Sequence, residues 1–211
     1  MGDDEGAAYP RVAAAGRTFV YVLPCRDQDI LKVGYSRNPV QRMHALHRRY
    51  FRFFDLDRAL LLDAERLRDA RRIERTFITR FAEYRAPPPL VVRQAAAGET
   101  EWFRGVAGPI DELARRIAAD EGLTLHAPLR AWLRQRFAEH SDTLYECSMR
   151  MLDSIEYEQF NVPADAQDGR TAAALRHLLD VHEALELDLR RLISPRVLEW
   201  YHRRSGLGAG G

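Results

Sequence analysis

The chain has 211 residues, of which 46% are apolar and 30% charged, and its formal net charge is +1. Those values fit one medium globular domain or a small domain with an appendage. They exclude a membrane helix, since no aliphatic run approaches the roughly 20 residues a bilayer span requires. The acidic opening Met1-Gly2-Asp3-Asp4-Glu5 has no apolar signal core, and the distant Cys25 and Cys147 suggest free thiols, so a cytoplasmic protein is expected.

The small net charge hides an asymmetry. Residues 17–105 carry +7, whereas 106–211 carry −4. The first stretch suits a polyanion partner and the second does not. Nearly every basic residue is Arg, with Lys32 the single lysine among 32 basic side chains. A lysine can have its pKa lowered by burial, which an arginine effectively cannot.

In chain order, 1–16 reads as a disordered tail. Thr18 to Leu23 has strand composition and stops at Pro24, and Ile30 to Tyr35 is a second strand, so the pair forms a hairpin. Asn38 and Pro39 are a cap and first residue for a helix to about Arg49, with Val40, Met43, Leu46 and Tyr50 on one side. A third strand is predicted near Arg58 to Leu62. Asp63 then caps a long helix to about Tyr84 with an inward stripe of Leu67, Ala70, Phe77, Ile78 and Phe81. Glu74 falls on that stripe, where an acid is costly unless it is paired, metal-bound or at a cleft.

Residues 86–98 form a proline- and alanine-rich loop, and Thr100 to Phe103 a short strand. The rest reads as helices. One starts at Gly108-Pro109, burying Ile110, Leu113, Ala114 and Ile117, and stops at Gly122. Another starts at Pro128 and breaks near His140 to Asp142, where Thr143 and Glu146 resemble a capping box. Thr171 to Ile193 carries a leucine seam, and Ser194-Pro195 opens a short last helix. His177 and His182 read as solvent-edge histidines. The expected organisation is a disordered tail (1–16), an α+β domain (17–105), a helical domain (106–204) and a second disordered tail (205–211).

Five positions in the first half, in order and at the right spacing, resemble the GIY-YIG nuclease superfamily in its phage-type DNA-binding branch. Phe19-Val20-Tyr21 stands where the family has Gly-Ile-Tyr, and Lys32-Val33-Gly34 where it has Tyr-Ile-Gly. Arg42, Glu74 and Glu101-Trp102-Phe103 match the helix arginine, the later helix glutamate and the closing strand. The resemblance covers Phe19 to Phe103 and implies a small antiparallel three-stranded sheet flanked by helices, followed here by an all-α C-terminal region. It further implies hydrolysis of a DNA phosphodiester assisted by one Mg²⁺ or Mn²⁺. Glu74 would hold the metal, Arg42 would fork onto the phosphate, and Tyr21, helped by Lys32, would act on the water. Gly34, Tyr35, Arg37 and His47 complete the candidate site as substrate contacts. The plain alternative for Lys32 and Glu74 is a structural ion pair.

Three functions follow. The first is a metal-dependent DNA endonuclease or nicking domain. The second is a catalytically inactive DNA-binding module of the same fold. The third is a helical protein-interaction protein, since the leucine-seamed helices suit a homodimer or a protein partner.

Overall fold

The computed structural model describes residues 16–92 and 100–203. Apart from Gly16, the tails expected at 1–16 and 205–211 lie outside the described residues, as does the far half of the loop expected at 86–98. The chain divides into two compact units, and the boundary between Leu133 and Arg134 falls within a helix.

The first unit is built on five strands: β1 (Thr18–Pro24), β2 (Ile30–Ser36), β3 (Leu60–Ala64), β4 (Trp102–Arg104) and β5 (Thr124–His126). They form one antiparallel sheet in the order β4-β2-β1-β3-β5. The expected three-stranded sheet is therefore corrected to five strands. The two further strands are β4, the short strand read at Thr100 to Phe103 and here paired with β2, and β5, whose three residues are too few for a readable alternation and which is defined only by pairing with β3. The central strand β1 is buried along its whole length, which explains its unbroken apolar composition.

Asn38 and Pro39 start α1 (Pro39–Leu46), with the Asn38 side chain accepting from the Gln41 amide at 3.1 Å. The helix ends at Leu46 rather than near Arg49, because His47 is extended and Tyr50–Phe53 forms a separate turn, α2. Asp63 is not a helix cap. It lies inside β3 opposite Phe19, pairs with Arg17, and delays the next helix, α3, to Leu67–Arg80. The buried stripe of α3 is Ala70, Ile73 and Phe77, so Ile73 takes the central place and Glu74 sits half-buried on the flank.

Antiparallel partners share a sheet face. One face, with Val20, Val22, Leu31, Val33, Leu60 and Leu62, packs on α3 and on Ile110 and Ala114 of α4 (Ala107–Glu121). Each fully buried aliphatic side chain there contributes roughly 1.5–3 kcal/mol of transfer free energy. Gly122, at φ +64°, ends α4 where the sequence placed its stop. Ala118 is buried there, while Ile117 is only partly so. The opposite face carries Phe19, Tyr21, Leu23, Lys32 and Trp102. Its Phe19 ring meets Trp132 edge-on at 5.6 Å. Trp132 belongs to α5 (Leu129–Ala138), the helix that contains the unit boundary.

The second unit is helical, with α6 (Ser141–Asn161), α7 (Arg170–Ala184), α8 (Leu189–Leu192) and α9 (Pro195–Arg203). Its core joins Leu144, Leu152, Ile155, Leu175, Leu179 and Val197. Thr143 and Glu146 lie inside α6, whose cap position is His140. The helix expected to reach Ile193 stops at Ala184, because Glu186 takes a left-handed φ of +57° and Asp188 caps a new turn. His182 is not at the solvent edge. It is 2% exposed, its Nδ1 lies 2.8 Å from the Leu178 carbonyl oxygen, and its ring meets Phe137 at 5.0 Å. Among the described residues, no helix is long and apolar enough to cross a membrane.

Candidate functional site

Tyr21 stands at the middle of β1, directly opposite Gly34 of β2. The absence of a side chain at position 34 is required there. A Cβ would overlap the Tyr21 hydroxyl and lie 2.6 Å from its Cζ, so the ring occupies the space a larger residue would fill. Asn38 and Pro39 fix the first turn of α1, which places Arg42 so that its Nε donates to the Tyr21 hydroxyl at 3.2 Å. Tyr21 is 1% exposed. Burial raises its phenol pKa, and the neighbouring Arg42 only partly opposes that. Tyr21 is thus a neutral phenol near pH 7.

Lys32 lies opposite Leu23 on one side and Trp102 on the other. It is 1% exposed, with Nζ 5.8 Å from the Trp102 ring centroid. The ammonium donates to the Thr100 carbonyl and, at 2.9 Å, to Glu101 Oε2. Burial lowers the Lys32 pKa, and Glu101 offsets part of the loss. Glu101 itself titrates below the usual carboxylate range: burial opposes this, but hydrogen bonds from Thr100 and Lys32 outweigh it. Its backbone φ is +61°, a conformation costing a non-glycine residue roughly 1–2 kcal/mol. The ion pair and the Thr100 contact hold it there.

The counter-ion of Lys32 is therefore Glu101, not Glu74. Glu74 lies within the same field, acted on by Glu101, Lys32, Arg71 and Arg42. Burial first, and repulsion from Glu101 second, push its carboxyl up to about 7, with the three cations compensating only in part. Tyr21, Lys32, Arg42 and Glu74 thus share one electrostatic neighbourhood, drawn from β1, β2, α1 and α3. Tyr35 joins it through Arg71, whose Nε donates to the Tyr35 hydroxyl at 3.1 Å. Arg37 is exposed just before α1, and His47 stacks on Phe53 at 4.4 Å while its Nδ1 accepts from the Arg49 amide. Neither is among the charges acting on Glu74.

Two contributors are not legible as site residues in the sequence, Glu101 and Arg71. A signal for Glu101 exists in retrospect: a lysine in an apolar strand requires a counter-ion, and Glu101 precedes the strand that pairs with it. Arg71 carries only a weak signal, its place three residues before Glu74, which it shares with Arg75 next to Glu74 as a possible partner for that acid. Among the described residues, no three His, Cys, Asp or Glu side chains cluster as a metal-binding group. Cys25 and Cys147 form no disulfide, and burial pushes the Cys25 thiol up to about 12.

The profile of one protein family matches residues 18–118, a span that includes every residue of this neighbourhood. Residues 18–118, just under half of the chain, match the T5orf172 domain. Domains of this family are often found near or with nuclease folds. No curated protein and no solved structure matches the chain. The T5orf172 match spans β1 through most of α4, so the helix that packs beside α3 belongs to the domain.

Proposed function

We propose that the T5orf172 domain is a DNA-binding module of GIY-YIG-like fold. The observation that carries the reading is the gathering of Arg42, Lys32 and Arg71 around Tyr21 and a carboxyl that is easily neutralised, in a segment of net charge +7. Arg42, whose Nε donates to the Tyr21 hydroxyl, supplies the guanidinium that would pair with a phosphate. Gly34 leaves the space that the Tyr21 ring fills, which holds the phenol hydroxyl beside Arg42. Binding of this kind weakens steeply with salt, because each neutralised phosphate releases counterions.

Glu74 supports a second reading, metal-dependent nicking. A half-buried carboxyl held near 7 by burial and Glu101 is a group whose ionisation the protein leaves under-compensated, which suits a divalent cation. Glu74 would hold Mg²⁺ or Mn²⁺, and Glu101 remains with Lys32. The cation would supply Lewis acidity at the phosphate. Arg42 would orient the phosphate, and the Tyr21 phenol, whose oxygen accepts from Arg42 Nε, would turn its own proton toward a substrate or water oxygen.

Titrating the full chain with a labelled duplex at several salt concentrations, beside supercoiled-plasmid assays with Mg²⁺ and Mn²⁺, tests both readings. Salt-dependent binding without nicking leaves the binding module. Nicking that Glu74→Gln abolishes while binding persists establishes the nuclease. No binding at low salt overturns both. The helical residues within 106–204 are assigned a partner-binding or homodimerising role, supported by Tyr157 and Phe160, which stand 67% and 86% exposed on α6.

A further inference from the structure

The outer face of α3 is a row of arginines. Arg68, Arg71, Arg72, Arg75 and Arg80 stand against two acids in the helix, Asp69 and Glu74. At 100° per residue, Arg68, Arg71, Arg72, Arg75 and Thr79 fall on the side opposite the buried Ala70, Ile73 and Phe77. They line an open cleft of about 980 Å³ together with Thr76 and Arg80. Most of this charge is not spent on the fold. Arg72 is committed, with both terminal nitrogens on the Glu121 carboxylate of α4, one at 2.9 Å. Arg68, by contrast, is 74% exposed and only 3.9 Å from Asp69, and Arg75 has no acid partner among the described residues. Arg71 hydrogen-bonds the Tyr35 hydroxyl rather than an acid, and only partly compensates the Glu74 carboxyl.

The row also has a direction. Going round the helix from the buried stripe, Glu74 comes first, then Arg71, then Arg75 and Arg68. Successive turns are about 5.4 Å apart along the axis. We propose that this arginine face of α3, led by Arg68, Arg71 and Arg75, is a track for the phosphate backbone of nucleic acid passing the Tyr21–Glu74 neighbourhood. The inference rests on the DNA-binding reading and adds where the backbone runs. A lipid surface fits the face less well. Apart from the half-buried Leu67 the face carries arginine and threonine, with no exposed apolar wedge to enter a bilayer, whereas charge on successive turns matches a repeating polyanion.

The test measures binding of the full chain to a labelled DNA duplex by fluorescence anisotropy across a salt series. The proteins compared are wild type, Arg68→Ala, Arg75→Ala, the double variant, and Arg116→Ala, whose arginine is tied to Glu112 within α4. Each α3 substitution is expected to weaken binding at low salt by roughly threefold to tenfold. It should also make the slope of log K against log salt shallower by about 0.9. Arg116→Ala should match wild type. If wild type binds and the double variant keeps its affinity and slope, the track is refuted while the DNA-binding reading stands. If wild type itself does not bind, the DNA-binding reading falls first. A parallel arm uses phosphatidylserine vesicles. Loss of vesicle binding in the double variant with DNA binding intact overturns the track in favour of a membrane surface.

Discussion

Replacing Glu74 by Gln removes a carboxyl from the flank of an apolar stripe while keeping its shape. In the fold that carboxyl titrates at about 7 instead of 4.5, chiefly because burial disfavours its charged form. A folded-state pKa above the unfolded value means the neutral form is bound more tightly by the fold. The contribution is fully present below about pH 4.5 and is lost as pH rises through 7. A tenfold change in proton affinity is worth ~1.4 kcal/mol, so the ceiling is roughly 3 kcal/mol. Glu74 is only partly shielded from water, and screening reduces the figure to about 1–2 kcal/mol. Glu74→Gln should therefore melt about 3–6 °C above wild type at pH 8 and close to wild type at pH 4.5. Differential scanning calorimetry of both proteins across that range measures it. A variant that melts below wild type at pH 8, or an offset that does not change with pH, refutes the under-compensated carboxyl.

Three further outcomes are expected. Glu101→Ala strands the 1%-exposed Lys32 ammonium and should cost about 2–4 kcal/mol, against under ~1 kcal/mol in a Lys32→Met background; equal costs in a urea double-mutant cycle would show no coupling. Gly34→Ala forces a methyl against the Tyr21 ring and should cost about 1–3 kcal/mol by urea denaturation, an effect absent if the ring can swing aside. Burial lowers the His182 pKa, so the unfolded chain takes up the proton first, and stability should fall as pH drops below the ordinary 6.5. Hydrogen exchange of α7 amides should show that fall, and His182→Gln should flatten it.

Much of the first unit was legible because its signals are local. The hairpin strands announce themselves by apolar runs bounded by Pro24 and Ser36, and the start of α1 by Asn38-Pro39, whose cap geometry depends on residues a few positions apart. The same locality put Glu74 on the inner side of a helix and placed Lys32, Gly34 and Arg42 on adjoining elements. Pairing decided the rest. Thr124–His126 is a strand only because β3 offers it an edge, and Asp63 is a strand residue only because β1 lies beside it in register. Likewise Lys32 is bound to Glu101 and not to Glu74 because β4 is hydrogen-bonded to β2, which brings together residues 69 positions apart. Sequence by itself determined which side chains were available as cations, acids and phenol. The partner each one took, and hence which carboxyl was neutralised by a lysine and which was left near 7, depended on sheet order, since ion pairs form over a few ångströms in space and not along the chain.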